Sequence, residues 1–259
     1  MNKNYLKNFK SKIRRKIMNE KILVIAHRGA SKIAPENTLL AFKKAIELNA
    51  DYIEFDVQIT KDDVIVVIHD EDIERVTGHE GLIKEMTLEQ LKKIDFGEGE
   101  KIPTLKEVIS QIGGKIGFNC EIKVEKITQK VISLFQEGNV LESVIISSFL
   151  HDELLNIKNF DANVKLASLE PTEYRGKYEW DLKKEMIDFC IKNELYAINP
   201  LYSLVDEKFV EYAHDNGIKV FPWTVDTRLG IKKMIKSEAD GIITNDVEKT
   251  IEIINQLTK

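Results

Sequence analysis

The succession of apolar runs in this sequence predicts an α/β chain closed into a (β/α)8 TIM barrel, and three observations lead to that reading. Short apolar runs alternate with amphipathic helical stretches along almost the whole chain, the pattern of a parallel sheet wrapped by helices. One return arm is the exception: the run ending at Ile59 and the run beginning at Val64 are separated by too few residues for a parallel crossover, so they form a hairpin. Removing that arm from the count leaves eight parallel strands, the number that closes a barrel.

The first strand, near 22–26, leads into His27-Arg28-Gly29, and a helical pattern over 38–48 follows with Asn37 or Thr38 as its cap. A second strand over 52–58 carries Glu54 and Asp56. Thr60, Lys61, Asp62 and Asp63 make the turn, and a turn centred near Lys61 and Asp62 brings His69, after the arm at 64–68, roughly opposite Glu54. Residues 71–103 are longer than an ordinary connection, hold Gly78, Gly81, Gly97 and Gly99 with a short helical pattern from Leu88 to Ile94, and are expected as a small cap over the barrel mouth. Strands near 116–122, 143–147, 164–168, 195–198, 218–222 and 240–243 complete the set, with helical patterns at 105–112, 127–137, 182–192, 206–216 and 229–237. Barrel chemistry belongs at the C-terminal strand ends, where His27, Asp56, Lys123, Phe149 and Trp223 fall.

Composition fits one domain over 21–259 preceded by a basic extension, 1–20. Of 259 residues, 43% are apolar and 31% charged, enough for a full core under a solvated surface, and no Pro/Gly/Ser-rich linker divides the chain. The first twenty residues carry a net +6 against −5 for the whole chain, so the body carries −11, which argues against nucleic acid as a partner. Tyr5, Phe9, Ile13 and Ile17 recur every fourth residue among basic neighbours, a pattern that can rest residues 1–17 on an anionic membrane; a frayed tail, or a true start at Met18, is the plainer reading. Cys120 and Cys190 lie far apart with no metal-ligand spacing, as free thiols of a reducing, cytoplasmic protein. No apolar run approaches the roughly 18 residues of a membrane span.

The residues with chemistry cluster at the strand ends. Side chains alternate along a strand, so Glu54 and Asp56 share a face about 6.5 Å apart, as do Asn119, Glu121 and Lys123, with Phe118, Cys120 and Ile122 opposite. Inward polar groups are costly unless paired or bound. Three carboxylates suit a hard cation, Mg²⁺ or Ca²⁺; Arg28 and Lys123 add positive charge where a phosphate oxygen could dock; His27 and His69 offer imidazoles for proton transfer. Glu36 and Asn37 are candidates for orienting those groups, and Phe149 and Trp223 for a pocket wall. His79, His151 and His214 read as cap, helix-start and helix-surface residues.

In this order, His27-Arg28-Gly29, Pro35-Glu36-Asn37-Thr38, Glu54-Phe55-Asp56-Val57 with Thr60-Lys61-Asp62, His69-Asp70, Asn119-Cys120-Glu121-Ile122-Lys123, Ser148-Phe149, Trp223-Thr224-Val225 and Asp240-Gly241-Ile242-Ile243-Thr244 resemble the glycerophosphodiester phosphodiesterases, within the phospholipase C-like phosphodiesterase superfamily. The resemblance covers nearly all of the chain after Met18. It implies a barrel with an inserted cap, a divalent cation on Glu54, Asp56 and Glu121, acid/base work by His27 and His69, phosphate contacts from Arg28 and Lys123, and hydrolysis of glycerophosphodiesters to sn-glycerol 3-phosphate and an alcohol. Relatives that cleave lysophospholipids, and a catalytically silent phosphate-binding module on the same fold, are the alternatives. The sequence departs from the family's pattern at Asp63, where glycine is usual, at Ile65, where proline is frequent, at Asp226, where asparagine is usual, and at Asn245, where aspartate normally follows Ile-Ile-Thr.

Overall fold

The computed structural model describes residues 21–173 and 176–257. The extension 1–20, with its amphipathic stripe and Met18, lies outside the described residues. Eight strands run parallel: β1 (Leu23–His27), β2 (Tyr52–Ile59), β4 (Gly117–Ile122), β5 (Val144–Ser148), β6 (Lys165–Glu170), β7 (Ala197–Pro200), β8 (Lys219–Val220) and β9 (Gly241–Thr244). Their order is β8-β7-β6-β5-β4-β2-β1-β9, and the two ends meet through Asp240 N–H to Val220 O (3.1 Å) and Ile243 N–H to Pro222 O (2.9 Å). The expected strand over 218–222 shortens to two residues because Pro222 has no N–H to give a ladder.

The hairpin forms with β3 (Ile65–Val67) antiparallel to β2. Its register pairs Val57 with Val67, one residue away from the expected pairing of His69 with Glu54. The extra step is taken at Asp63, whose φ of 61° places it in the left-handed region. Because β3 ends at Val67, His69 is off the ladder and is placed by other bonds.

Helices pack outside the sheet, and several begin at side chains that satisfy their first free N–H groups. Thr38 caps α1 (Leu39–Glu47), accepting from Ala41 N–H at 3.2 Å, and so leaves Asn37 for another task. Thr104 and Glu107 form a reciprocal capping box at the helix Leu105–Ile112. The principal core lies between sheet and helices and includes Phe42, Phe55, Phe118 and Phe135, with successive ring centroids 5.7–6.1 Å apart. A second cluster fills the barrel with Ile25, Ile145, Ala167, Ala197, Phe221 and Ile243.

Residues 71–103 build a third, small core of Ile73, Ile83, Leu91, Phe96 and Ile102, completed by Val66 and Ile68 of the hairpin arm. β3 therefore serves two cores, since its alternate residues Ile65 and Val67 join the principal one. Among the described residues no helix is long and apolar enough to cross a membrane.

Candidate active site

At the C-terminal end of β1 the chain turns through two successive left-handed residues, Arg28 at φ 57° and Gly29 at φ 80°. Only glycine fits the second position: a Cβ there would stand 2.7 Å from the Ala41 Cβ. The turn aims the Arg28 backbone N–H at Glu54 Oε2 (2.9 Å) and its guanidinium at Glu36 Oε1 (2.8 Å), with Nε 3.5 Å from Asp56 Oδ2. Asn37, also left-handed, donates from Nδ2 to Asp56 Oδ2 at 2.9 Å. The Pro-Glu-Asn loop after β1 thus braces the carboxylates of β2.

Glu54, Asp56 and Glu121 all project inward, and one oxygen from each lies within 4.8 Å of the others. They are 4%, 1% and 7% exposed, so water does little to separate their charges. Burial, then Asp56 and Glu121, push Glu54 well up; burial and then Asp56 push Glu121 up to about 8. For Asp56 burial acts the same way, but Lys123 and Arg28 outweigh it and hold its carboxyl below the usual range. Lys123 Nζ sits 2.8 Å from Glu121 Oε1 and 3.7 Å from Asp56 Oδ1. Two cations thus balance one carboxylate fully and leave the other two short of positive charge. Asp56 Oδ1 is buried with no hydrogen-bond partner among the described residues. An all-carboxylate donor set, crowded, buried and holding a spare acceptor, fits a hard divalent cation.

The two histidines stand in different surroundings. His27 Nε2 is 3.9 Å from Glu54 Oε2 while its Nδ1 meets Asn245 Oδ1 at 2.7 Å; burial and the neighbouring Arg28 charge lower its pKa. His69 is placed by Gln58, the next inward residue of β2, whose Nε2 donates to His69 O at 2.9 Å and Asp70 O at 2.6 Å. Its Nδ1 lies 2.5 Å from Asp70 Oδ1, and Asp70 is tied to Arg75. Arg75 comes from the 71–103 segment and also reaches Glu36 at 2.7 Å, so Glu36 sits between two guanidinium groups that keep its carboxyl low despite burial.

His27, Arg28, Glu54, His69 and Glu121 line one cavity, with Asp56 and Lys123 held against Arg28 and Glu121 behind it. His27, Glu121, Leu169 and Trp223 come from β1, β4, β6 and just beyond β8; Glu54, Ser147, Asn199 and Ile243 come from β2, β5, β7 and β9. Alternate strands thus supply two sets of four, the layered filling of this architecture. Phe149 and Trp223 meet edge to face at 5.7 Å and form an apolar wall, and Trp223 Nε1 donates to Asn199 O at 2.8 Å.

Of the side chains expected to carry chemistry, His27, Arg28, Glu54, His69, Glu121, Phe149 and Trp223 line this cavity, and Asp56, Lys123, Glu36 and Asn37 bond to or sit against those that do. Gln58 and Asn199 were missed, and the link between Asp226 and Asn245 was not seen. Gln58 continues the Glu54-x-Asp56 alternation, a signal the sequence did hold. Asn199 sits two residues after Ala197 on the inward face of β7, buried with both polar atoms unpartnered among the described residues. Asp226 and Asn245, noted only as separate departures, touch: Asn245 Nδ2 donates to Asp226 Oδ2 at 2.6 Å. His151 and His214 lie elsewhere, His151 stacked on Phe189 and His214, expected on a helix surface, turned in onto Asp240 at 2.8 Å.

Residues 27–249 match the model of the glycerophosphoryl diester phosphodiesterase family. The chain is 45% identical over 249 residues to a glycerophosphodiester phosphodiesterase of Caldanaerobacter subterraneus subsp. tengcongensis, covering 91% of this chain and 99% of that one. It superposes on a glycerophosphodiester phosphodiesterase from Thermotoga maritima with a TM-score of 0.77 at 30% identity, covering 91% and 99% of the two chains. A phosphodiesterase of Oleispira antarctica, in complex with the product sn-glycerol-3-phosphate, matches with a TM-score of 0.77 at 26% identity over 90% and 96%.

Proposed function

The chain belongs to the glycerophosphoryl diester phosphodiesterase family and is a phosphoric diester hydrolase, and from that premise we propose that it hydrolyses glycerophosphodiesters to sn-glycerol 3-phosphate and an alcohol in this cavity. The observation that carries the reading is the convergence there of a carboxylate trio, two cationic side chains and two histidines. The relative holding sn-glycerol-3-phosphate supports the product.

A phosphodiester is an anion, so attack on phosphorus requires neutralisation of its non-bridging oxygens. Arg28 and Lys123 supply fixed positive charge for them. Glu54, Asp56 and Glu121 would hold a divalent cation, Mg²⁺ or Ca²⁺, which would supply Lewis-acid charge to the site. One of His27 and His69 accepts the proton of the attacking hydroxyl as the new P–O bond forms. The other protonates the leaving alkoxide as its P–O bond breaks. Where that hydroxyl is water the product is glycerol 3-phosphate directly. Where it is the glycerol's own neighbour, the resulting cyclic phosphate is opened by water in a second round of the same exchange. Asn37, Glu36 and Gln58 hold these groups in place, and Phe149 with Trp223 gives the carbon skeleton an apolar face. We place the reaction in the cytoplasm, a setting in keeping with two free, buried cysteines.

The test is release of glycerol 3-phosphate from a panel of glycerophosphodiesters and lysophospholipids by metal-stripped protein, with and without Mg²⁺ or Ca²⁺, beside His69→Ala. Cation-dependent release lost in the variant supports the proposal. No release with either cation, or release that survives His69→Ala, sinks it.

A further inference from the structure

Asp226 and Asn245 stand behind His27 with no part in the reaction described above. Asn245 donates to Asp226 twice, from Nδ2 to Oδ2 at 2.6 Å and from its backbone N–H to Oδ1 at 2.8 Å. Thr244 Oγ1 adds a third bond to Oδ1 at 3.0 Å. A carboxylate accepts and has nothing to donate, so the amide nitrogen of Asn245 must face Asp226 and its oxygen must face away. On that far side lie His27 Nδ1 at 2.7 Å and Ser31 Oγ at 2.9 Å. An amide oxygen in turn only accepts, so the proton of a neutral His27 sits on Nδ1. Its lone pair is then on Nε2, the nitrogen 3.9 Å from Glu54 Oε2.

We infer that Asp226 and Asn245 are positioning residues that hold His27 in its Nδ1–H tautomer and present Nε2 to the cavity as a proton acceptor. The inference rests on the proposed part of His27 in phosphodiester hydrolysis. Each residue does something the other cannot: Asp226 orients an amide that could otherwise turn over, and Asn245 carries that orientation to the ring without placing a charge against it. The two positions at which the sequence departs from the expected pattern are thus in direct contact.

The first measurement is a long-range ¹H–¹⁵N spectrum of the full-length protein at neutral pH, with the His27 signals assigned by their loss in His27→Ala. A protonated Nδ1 and an unprotonated Nε2 are expected; the reverse overturns the inference. Asp226→Asn leaves an amide facing an amide, so both tautomers appear and kcat falls about 10- to 100-fold with KM little changed. The exchanged pair Asp226→Asn/Asn245→Asp again gives Nδ1 an acceptor-only partner, and recovers both the Nδ1–H signal and turnover. A fall in kcat with the tautomer unchanged, or no recovery in the exchanged pair, shows that these residues merely fasten the rim. The wild-type spectrum needs no turnover, so an inactive protein with an Nδ1–H ring sinks the phosphodiesterase proposal and leaves the tautomer standing.

Discussion

Arg28 donates to Glu36 Oε1 at 2.8 Å, and the same oxygen accepts from Arg75 Nη2 at 2.7 Å. One carboxylate therefore joins the guanidinium beside Asp56 to the segment 71–103. Glu36→Gln keeps the shape and removes the charge, and is expected to raise KM and lower kcat/KM about 10- to 100-fold. Arg75→Ala, at a half-exposed residue, has a smaller effect in the same direction. Unaltered kinetics in Glu36→Gln would reduce this link to packing.

Binding of the cation is expected to stabilise the fold, since it relieves three crowded buried carboxylates. At a concentration of about 100 times Kd the gain is about 2.7 kcal/mol. A thermal melt of stripped protein with added Mg²⁺ or Ca²⁺ reads it directly, and Glu121→Gln diminishes the shift. A midpoint indifferent to both cations argues against the trio as a metal site.

Glu170, buried at the end of β6, has its pKa pushed up by burial to about 7. The folded protein therefore holds this proton more tightly than the unfolded chain, where a glutamate titrates at its ordinary 4.5. Its contribution to stability is complete below about pH 4.5 and is lost as pH rises through about 7. Glu170→Gln stays neutral throughout, so its midpoint is expected to fall less than wild type between pH 5 and 8, by an amount on the order of 5 °C. Parallel curves for the two proteins contradict this.

Asn199 leaves a buried amide without partners among the described residues, a cost the fold bears in the lining of the cavity. Asn199→Leu, branched like the amide but without its polar atoms, is expected to raise the melting midpoint and to lower activity by removing an unpartnered polar group from the cavity. A more stable variant with full activity would exclude a part in substrate recognition.

Gly29→Ala places a Cβ 2.8 Å from the Ala41 backbone carbon at a φ of +80°. A cost of about 1–3 kcal/mol is expected. The loop displacement that relieves it also moves Arg28, so weaker phosphate binding accompanies the lower midpoint. A calorimetric scan beside competition by inorganic phosphate checks both.

The sequence disclosed the parts of the site that rest on local periodicity. Glu54, Asp56 and Glu121 were found together because alternation along a strand fixes their common face, and His27 and His69 because each follows a strand end. The hairpin was anticipated from the shortness of its turn, but its register slipped by one because the left-handed step at Asp63 adds a residue that hydrophobic pattern does not reveal. Pro222 was visible in the sequence and should have shortened the strand at 218–222. What could not be read is contact across the barrel: Asp226 and Asn245 lie 19 positions apart, and His27 and Asn245 218 apart. Such pairs are set by strand order and closure, not by spacing along the chain.

β3 is three residues long and belongs to both cores, through Ile65 and Val67 on one side and Val66 on the other. This has a consequence for exchanging parts between relatives. A transplant cut at Glu71 would carry Ile73, Ile83, Leu91, Phe96 and Ile102 into a host that supplies its own version of Val66 and Ile68. The natural seam lies earlier, in the turn at Lys61–Asp63, so that the hairpin arm travels with the segment whose core it completes.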